Sequence, residues 1–479
     1  MSAAASDILS FTHFYLVGIK GVAMTALAQC LLDAGKNVTG SDVTEDFVTA
    51  PLLHKHHIKI DTGFTNPIPE STDCVIYSAA HQGQYNPQVQ TALNQGLPLF
   101  SHAEALASLF NQKHGIAVCG VGGKSTTSAM ITWILEKTGR SPAFAIGVGN
   151  IPGLDKTGAL PATSTIFVAE ADEYVTDPSA PGKGEPITPR FSFLKPFVTV
   201  CTNLKFDHPD VYTDFDHTQR VFADFFSQIK KDGTLVVNAD DESLMTLAIQ
   251  ATSQPSLSLL TFGESDQADF QLQDIHSSEG VTRATVTYEG DSVALQLSIP
   301  GTYNLRNAVA AMAACAVINV PLTESAQALA DFHSTLRRAE YKGEKQGAKI
   351  YDDYAHHPDE VKQVIQAFKE WYPDARLVVA FQSHTFSRTK ALLDEFVTAF
   401  GQADEVVMID IFASAREKAD STITSTLLCQ AISERFPTVT AHNFKTLPAL
   451  ATHLQHTLKP GDICLTVGAG DIYQVFDLL

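Results

Sequence analysis

The segment that most constrains the fold is the glycine-rich run at residues 120–127, with the sequence GVGGKSTT. It follows an apolar run with strand character at residues 115–119 and precedes a helical pattern that ends near Lys137. Glycines let the backbone curl so that its N–H groups face phosphate oxygens, and a helix N-terminus adds partial positive charge. A strand, a glycine loop and a helix in this order are typical of parallel sheets. The segment therefore predicts an α/β protein with a phosphate-binding loop.

Within this loop, Lys124 would neutralise the terminal phosphates of a nucleotide, and Ser125 would place its hydroxyl on Mg²⁺. The strict P-loop spacing requires a glycine at position 118, where valine stands, so the motif is a shorter relative. A glycine-rich turn with an exposed lysine is the alternative interpretation. Three glycines, a lysine and three hydroxyl residues coincide, which favours an ATP site formed by Gly120, Val121, Gly122, Gly123, Lys124, Ser125 and Thr126.

Charge and composition argue against several classes of protein. The 479 residues carry 33 basic and 53 acidic side chains, a formal net charge of −20, which argues against a broad grip on nucleic acid or on an anionic membrane. No uninterrupted apolar run reaches about 18 residues, so no membrane span is predicted. Residues 1–14 lack a signal-peptide pattern, and the seven cysteines are dispersed without a C-x-x-C pair. We therefore expect reduced thiols and a cytoplasmic enzyme.

Three α/β units follow one another along the chain, whose length predicts two to four domains. Short apolar runs alternate with helical patterns throughout, which favours parallel sheets. The second unit starts near residue 115 and the third near residue 336. Two stretches differ from this pattern. Residues 174–197 hold five prolines and predict a long irregular loop near a site, and residues 281–299 alternate like antiparallel strands.

Two polar segments predict a metal site beside the phosphate loop. The run 167–173 (FVAEADE) ends a predicted strand with three carboxylates, of which Glu170 is the predicted Mg²⁺ ligand. The run 202–210 (TNLKFDHPD) follows another strand and carries His208. A solvated acidic loop and a structural histidine are the alternatives for each segment alone. Because Ser125, Glu170 and His208 are expected at one sheet edge, we interpret them together as metal ligands.

The first unit carries a weaker ligand signal. Residues 18–23 (GIKGVA) partly match a dinucleotide-binding turn, but Lys20 stands where that pattern requires glycine. Asp42 follows the next strand and could hydrogen-bond a ribose or a base. A purely structural turn is the alternative. Two nucleotide-like units in one chain would indicate two anionic ligands.

The third unit carries polar segments where open α/β sheets bind ligands, beyond the carboxyl ends of strands. These are residues 351–358 (YDDYAHHP) and 382–390 (QSHTFSRTK). The pair Arg337 and Arg338, near the start of the unit, could reach triphosphate oxygens. Helix caps with surface charge and an exposed basic pair remain open as alternatives.

Together and in this order, the motifs resemble those of the Mur ligase family over nearly the whole chain. GVGGKSTT resembles the family's ATP loop, and EADE and TNLKFDHPD resemble its magnesium-site segments. GTYNLRNA resembles a segment whose asparagines, here Asn304 and Asn307, lie near adenine, although Tyr303 replaces the usual histidine. YDDYAHHPDEV, FQSHTFSRTKALLDEF and GAGDI resemble C-terminal segments of the alanine-adding member.

The resemblance implies an α/β fold of three domains. Residues 1–111 would form a Rossmann-like domain that binds a UDP-sugar. Residues 112–328 would form a central P-loop ATPase domain with a mostly parallel sheet. Residues 329–479 would form a Rossmann-like domain that binds an amino acid. Hinges near residues 112 and 330 would let the cleft close over the reactants.

The resemblance also implies roles for individual residues. The UDP moiety would contact Gly18, Gly21, Asp42 and Ser78. Beyond the loop, the ATP site would include Asn304, Asn307, Arg338 and Asp353. The incoming amino acid would lie near His357, His384 and Arg388. Catalysis would rest on Lys124, Glu170, His208, His357 and Arg388, and Mg²⁺ would be held by Ser125, Glu170 and His208.

The implied activity is an ATP-dependent ligation, in peptidoglycan biosynthesis, that joins L-alanine to the carboxylate of UDP-N-acetylmuramate through an acyl phosphate. ATP and Mg²⁺ would be the cofactors, and the protein would be a monomer or a homodimer. Three alternatives stay open: a ligase that adds a whole tripeptide, a nucleotide-hydrolysing switch and a non-catalytic sensor. The sensor is motivated by departures from the family loops, where Lys20 replaces a glycine and Gly122 replaces a frequent histidine.

Overall fold

The structure, a computed structural model, describes residues 7–45, 47–253, 256–278, 280–412, 417 and 419–479. Three sheets of five, ten and six strands follow one another along the chain. Each is built mainly of parallel strands joined by helices, which confirms the predicted α/β class with three units. Within these residues, no helix combines the length and the apolar character needed to cross a membrane.

The first sheet has the order β3-β2-β1-β4-β5, and all its neighbouring strands are parallel. Its strands are β1 His13–Val17, β2 Asn37–Asp42, β3 Lys59–Thr62, β4 Cys74–Tyr77 and β5 Leu99–Ser101. The helices are α1 Val22–Asp33, α2 Ala50–Lys55, α3 Pro87–Asn94 and α4 His102–Phe110, with 3₁₀ turns at Ile8–Ser10 and Gly83–Tyr85. The order reverses between β1 and β4, so the loops that follow these strands open a crevice at the carboxyl edge.

The central sheet has the order β15-β14-β13-β12-β11-β10-β6-β9-β7-β8. Its strands are β6 His114–Cys119, β7 Ala143–Ala145, β8 Gly158–Ala159, β9 Ile166–Glu170, β10 Val198–Cys201, β11 Thr234–Asn238, β12 Ser258–Gly263, β13 Phe270–Ser278, β14 Val281–Tyr288 and β15 Asp291–Leu297. Neighbours are parallel from β13 to β7 and antiparallel at both ends. The predicted antiparallel segment is confirmed and extends one strand further, to β13.

Six helices belong to the central sheet: α5 Lys124–Lys137, α6 Ala180–Lys183, α7 Phe215–Phe226, α8 Glu242–Ala251, α9 Thr302–Val317 and α10 Leu322–Ala330. Every residue of α5 from Ser125 to Leu135 is buried, because β6 and β9 lie on one side and α9 and α10 on the other. The alanines of α9 allow this close approach of helices. The phosphate loop at the start of α5 is therefore fixed by the core.

The third sheet has the order β16-β17-β21-β18-β19-β20, in which only the pair β16 and β17 is antiparallel among the described strands. Its strands are β16 Glu340–Lys345, β17 Ala348–Asp353, β18 Leu377–Phe381, β19 Glu405–Ile409, β20 Thr440–Phe444 and β21 Ile463–Val467. Its helices are α11 Pro358–Trp371, α12 Phe386–Ala391, α13 Leu393–Ala399, α14 Ser425–Arg435, α15 Leu447–Thr457 and α16 Val475–Leu478, with a 3₁₀ turn at Ile472–Gln474. The predicted polar segments follow β17 and β18 at the carboxyl edge.

The proline-rich stretch 174–197 is largely irregular, as its sequence predicts. It contains only the short helix α6 and a 3₁₀ turn at Arg190–Phe193. Its two ends pair through an isolated bridge between Val175 and Pro189. Its tip reaches the first domain, where the Lys183 ammonium lies 3.9 Å from the centroid of the Tyr85 ring. The loop therefore links the first and central domains.

A second contact between these domains is made by α1 and the edge strand β8. The Gln29 side chain, buried in α1, accepts hydrogen bonds on Oε1 from the backbone N–H groups of Thr157 (2.9 Å) and Gly158 (2.8 Å). Gly158 approaches the helix so closely that an added Cβ would lie 1.9 Å from the carbonyl oxygen of Ala26. The edge of the central sheet is thereby covered by the first domain.

Replacing Gly158 by alanine should push α1 away from β8 and destabilise the protein by about 1–3 kcal/mol, the usual cost of overpacking. The thermal midpoint of unfolding, followed by circular dichroism, measures the effect. Gly182→Ala is the matched control, because a Cβ at that position meets no atom within 4 Å. Equal midpoints for both variants would contradict the close contact.

Candidate functional site

The glycine loop has the shape that a phosphate-binding turn requires. Gly120, directly after β6, has a φ of 120°, and Gly123, directly before α5, has a φ of 82°. Other residues would strain the backbone at both positions. An added Cβ at Gly120 would also lie 2.3 Å from Thr202 Oγ1. At Gly123 it would lie 2.5 Å from Asn307 Oδ1. Both glycines are therefore structural requirements.

Two side chains that follow β10 hold the loop in this shape. Asn203 Oδ1 accepts hydrogen bonds from the backbone N–H groups of Val121 (3.0 Å) and Gly122 (3.1 Å). Thr202 Oγ1 donates to the carbonyl of Gly122 at 2.5 Å. These contacts arise because β10 pairs in register with β6, so the residues after both strands meet. The sequence pattern did not single out Asn203, since only the strand pairing reveals what lies beside it.

Lys124, the first residue of α5, is buried among carboxylates. Its Nζ lies 3.0 Å from Glu173 Oε2 and donates to the carbonyl of Gly120 at 2.7 Å. Burial by itself would lower the pKa of Lys124, but the three carboxylates of the segment 170–173 raise it. The lysine therefore carries a positive charge at the loop. Glu173, its direct partner, was missed among the three acidic residues of that segment.

Glu170 and Ser125, two predicted metal ligands, lie in contact. The Ser125 hydroxyl is 3.0 and 3.1 Å from the two carboxylate oxygens of Glu170. Burial raises the pKa of Glu170, so its negative charge is under-compensated and a cation would suit it. In the part of the chain that the structure describes, no group of three or more His, Cys, Asp or Glu side chains could hold a metal ion. The pair still fits Mg²⁺, which commonly uses one or two carboxylates together with phosphates and water.

His208, in the segment after β10, faces two carboxylates. Its Nε2 lies 3.3 Å from Glu173 Oε1 and 3.7 Å from Asp207 Oδ2. Burial opposes the charge on the ring, but Asp207 and Glu173 raise the pKa of His208 above its ordinary value. His208 thus shares Glu173 with Lys124. The three predicted metal ligands lie on one cavity wall but in two separate groups.

Two cavities meet at the phosphate loop. The first, of about 490 Å³, is lined by residues of the central and third domains, among them Gly122, Thr126, Asn203, Asn304, Asn307, Asp353 and His357. The second, of about 530 Å³, is lined by residues of all three domains, among them Gly18, Gly21, Ser78, Lys124, Ser125, Glu170, Glu173, His208 and His356. Four residues belong to both walls: Val121, Gly123, Arg338 and Glu360. A phosphate group at the loop would therefore face both cavities.

The two asparagines at the start of α9 are buried beside the first cavity. Asn304 Nδ2 donates to the carbonyl of Pro300 at 2.7 Å. Asn307 Nδ2 donates to Asn304 Oδ1 at 3.3 Å, and its own Oδ1 lies against Gly123. Tyr303, which stands where the family usually has histidine, lines the same cavity. The structure therefore brings both predicted adenine-side residues next to the loop.

The two adjacent arginines near the start of the third unit, Arg337 and Arg338, have different surroundings. Arg337 is buried and donates from Nε to Asp352 at 2.8 Å and from Nη2 to the carbonyl of Gly468 at 2.6 Å. Both arginines line the second cavity, and Arg338 also lines the first. Burial opposes its charge, but nearby carboxylates raise the pKa of Arg338, so the charge is kept. Arg338 therefore lies where the two cavities meet at the phosphate loop, while the Arg337 guanidinium is held by Asp352 and backbone carbonyls.

The neighbouring histidines at the start of α11 face different cavities. His357 is the N-cap residue of α11, and its Nδ1 accepts a hydrogen bond from the backbone N–H of Asp359 at 3.3 Å. It lines the first cavity, on the side of the two asparagines. His356 lines the second cavity, which Lys124 also faces. The contact of His357 with an incoming amino acid stays a prediction, and His356 is the histidine of this pair on the cavity that Lys124 faces.

Arg388 of α12 reaches across to the central domain. Its Nε and Nη2 donate to Asp207 Oδ1 at 3.1 and 2.9 Å, and both side chains are buried. Its Nη1 donates to the carbonyl of His384, whose ring lies 5.8 Å from that of Phe412 between centroids. Among the described residues that line the two cavities, neither Arg388 nor His384 appears. Their contact with an amino acid stays a prediction, while the ion pair with Asp207 joins two domains.

The first domain contributes its two glycines and a serine to the second cavity. Gly18 has a φ of 85°, and an added Cβ would lie 2.6 Å from Ser78 Oγ. Asp42 lies behind this turn, where it accepts hydrogen bonds from the backbone N–H groups of Lys20 (2.6 Å) and Val43 (2.8 Å). Asp42 is buried and is not among the described residues of the cavity wall. Its observed contacts shape the turn.

Asp353, at the end of β17, is a buried carboxyl on the first cavity. It accepts hydrogen bonds from the backbone N–H groups of Ala339 (2.7 Å) and Ala355 (2.8 Å). Burial raises the pKa of Asp353 to about 6, even though the Arg338 charge acts in the opposite direction. Because the folded protein binds this proton more tightly than the unfolded chain, acid stabilises the fold at this residue.

Replacing Asp353 by asparagine should remove this pH dependence. The wild-type contribution is complete below the ordinary pKa of 3.8 and is lost as the pH rises through about 6. Between pH 4 and pH 7, the wild type should therefore lose about 2 kcal/mol of unfolding stability relative to Asp353→Asn. Urea unfolding of both proteins across this range measures the difference. Stability curves that stay parallel would contradict the raised pKa.

Comparison with protein-family models matches all three units. Residues 13–114 match "Mur ligase family, catalytic domain", residues 118–315 match "Mur ligase middle domain", and residues 337–470 match "Mur ligase, glutamate ligase domain". The UDP-N-acetylmuramate–L-alanine ligase of Desulfitobacterium hafniense is 37% identical over 97% of this chain and 98% of its own length.

Two solved structures share the fold over nearly the full length. The UDP-N-acetylmuramate–alanine ligase of Thermotoga maritima aligns with a TM-score of 0.78 and 25% identity, covering 97% of this chain and 98% of its own. A murein peptide ligase of Psychrobacter arcticus aligns with a TM-score of 0.70 and 22% identity, covering 98% of both chains. The second likeness concerns the fold alone.

Proposed function

Because the chain belongs to the Mur ligase family, we propose that it is an ATP-dependent ligase that joins L-alanine to the carboxylate of UDP-N-acetylmuramate in peptidoglycan biosynthesis. One observation carries this function most directly. The phosphate loop lies where two cavities meet, and residues of all three domains line the second cavity. A nucleotide-hydrolysing switch needs a nucleotide cavity alone, whereas a ligase needs a second cavity that faces the terminal phosphate.

ATP would occupy the first cavity, with its adenine toward Asn304 and Asn307 and its phosphates at the loop. Lys124 and Arg338 would place two positive charges around the terminal phosphate, where charge develops during transfer. The UDP-sugar would enter the second cavity from the first domain, beside Gly18, Gly21 and Ser78. Asp353 would border the nucleotide, and Asp42 would support the first-domain turn from behind.

Mg²⁺ fits the oxygen pair of Ser125 and Glu170, because burial raises the pKa of the Glu170 carboxyl although Lys124 and Arg338 act against it, so a bound cation would stabilise its charge. We propose these two residues as its ligands, with His208 as a second position next to Glu173. When bound, Mg²⁺ supplies charge neutralisation for the phosphate oxygens. A protonated His208 cannot be a ligand, so binding there requires the loss of its proton.

The reaction would proceed in two transfers. The lactyl carboxylate of the sugar attacks the terminal phosphorus of ATP and yields an acyl phosphate and ADP. The amino group of L-alanine then attacks the acyl carbon, and phosphate leaves as the amide forms. Lys124 and Arg338 orient and neutralise the phosphate in the first transfer. Because water would destroy the acyl phosphate, the cavity must exclude it during the second.

We place the domains at residues 1–111, 112–328 and 329–479, with the closing motion near residue 330. The buried contact of Gln29 with the edge of β8 holds the first domain on the central one, so a hinge near residue 112 would have to break it. The central and third domains are joined by polar contacts such as the pair of Arg388 and Asp207, and Tyr303 packs against the core of the third domain. All seven cysteines are unpaired and buried, which supports a reducing compartment, the cytoplasm.

The amino-acid substrate is tested by phosphate release with ATP, Mg²⁺ and UDP-N-acetylmuramate. Release should require L-alanine and should not occur at a comparable rate when the murein tripeptide replaces it. The full-length likeness to L-alanine ligases supports L-alanine over the tripeptide as the substrate. Faster release with the tripeptide would reassign the substrate, and release without any acceptor would favour the nucleotide switch.

Replacing Lys124 by alanine should lower ligation by about 10²-fold or more, because transition-state charge would lose its nearest buried cation. Lys137→Ala, at the other end of the same helix, is the matched control, since its exposed ammonium lies over the Trp133 ring. Steady-state amide formation measures both. Near-normal turnover of the Lys124 variant would show that the phosphate loop does not take part in the reaction.

A further inference from the structure

The second transfer leaves one proton without an assigned acceptor. The amino group of L-alanine must lose a proton as it bonds to the acyl carbon, or it would remain a positively charged leaving group. Lys124 and Arg338 are positively charged and cannot accept it. The acceptor must lie on the wall of the second cavity, where the acyl phosphate would form. This step presupposes the ligase activity proposed above.

His356, on that wall, has one ring nitrogen committed to the protein and one that is not. Its Nδ1 lies 3.0 Å from the carbonyl oxygen of Tyr354 and 3.6 Å from Glu360 Oε2. Carbonyl and carboxylate oxygens only accept hydrogen bonds, so these neighbours assign the ring hydrogen to Nδ1. In the described part of the chain, Nε2 has no hydrogen-bond partner, and the side chain is 21% exposed. Its lone pair is therefore available to a ligand.

The other histidines on the same wall direct Nε2 to protein oxygens. His81 Nε2 lies 3.4 Å from Asp42 Oδ1, and His102 Nε2 lies 3.2 Å from the carbonyl of Ala23. His208 Nε2 faces the carboxylates of Glu173 and Asp207, as described above. Among the described histidines of the second cavity, His356 is therefore the one whose Nε2 makes no contact with a protein oxygen.

Burial, together with a neighbouring guanidinium, keeps the ring of His356 neutral. Burial and then the Arg388 guanidinium lower its pKa to about 3, against the opposing effect of Glu360 and Asp207, while His384 acts in the same direction as Arg388. A neutral imidazole can accept a proton, whereas an imidazolium cannot. The weak basicity suffices, because the proton that the amide nitrogen would still carry after phosphate has left is far more acidic than an imidazolium.

We propose that Nε2 of His356 accepts the proton that the amino group of L-alanine loses during attack on the acyl phosphate. The C–N bond forms, the bond between the acyl carbon and the phosphate oxygen breaks, and phosphate leaves with that electron pair. The proton moves from nitrogen to Nε2 and then to solvent when the products depart. Glu360 and the Tyr354 carbonyl stabilise the resulting imidazolium through Nδ1.

Replacing L-alanine by hydroxylamine as the nucleophile distinguishes this proton transfer from the earlier steps that bind the substrates and form the acyl phosphate. Hydroxylamine is largely unprotonated at neutral pH, and it traps acyl phosphates as hydroxamates without a base. In His356→Gln, L-alanine ligation should fall by about 10²-fold, while the hydroxamate made with ATP, Mg²⁺ and UDP-N-acetylmuramate should stay within about twofold of wild type. His356→Asn should give the same pattern, which guards against an effect of the glutamine side chain itself.

His456→Gln, the same substitution at an exposed position of α15, is the matched control and should leave both rates unchanged. Thermal midpoints of all variants show whether they fold. Equal losses of ligation and hydroxamate formation in the His356 variants would overturn the proposal, and so would normal ligation. If the wild type itself forms no hydroxamate and releases no phosphate, the ligase activity fails, and this result differs from either outcome for His356 alone.

Discussion

A continuous line of alternating charges joins the phosphate loop to the third domain. Lys124 at the loop contacts Glu173, which also contacts His208. His208 adjoins Asp207, and Asp207 binds Arg388 of the third domain. Most of these groups are buried, and a buried charge is stable only when an opposite charge lies beside it. The position of each group in the site therefore depends on its neighbours in the line.

This arrangement explains why the domains meet where they do. Arg388 and Asp207 are each almost fully buried, so separating the central and third domains would expose both charges to water while breaking their pair. When the domains separate, water hydrates the two charges and largely offsets the loss of their attraction, whereas separating apolar contacts exposes apolar surface to water. An interface held by ion pairs is therefore easy to open and to close. The first domain, by contrast, is held by a buried amide and a close backbone approach at Gly158. The two junctions thus differ in the kind of force that maintains them.

Much of the site follows from local sequence, because its parts are set by bonds and turns within a few residues. The glycines of the loop, Lys124 and Ser125 lie where a strand enters a helix, and that geometry is encoded in the segment itself. The asparagines of α9 were identified through their likeness to a known motif, and their contact with a nucleotide stays a prediction. Asn203, Glu173 and His356 were not singled out, although each lies in a segment that was recognised. Their contacts cross between strands or domains, and no spacing along the chain encodes them.

The amino-acid sequence alone determined the α/β class, the three units and the segments that carry polar chemistry, because alternating strands and helices and glycine turns depend on local periodicity and backbone freedom. Only the tertiary structure decided which members of each polar cluster lie at a cavity wall. Arg338 lines both cavities, whereas Arg337 lines the second alone of the two, and Asp352 and backbone carbonyls occupy its guanidinium. Adjacent residues point to different sides of the backbone, and which side is a cavity depends on where distant elements pack.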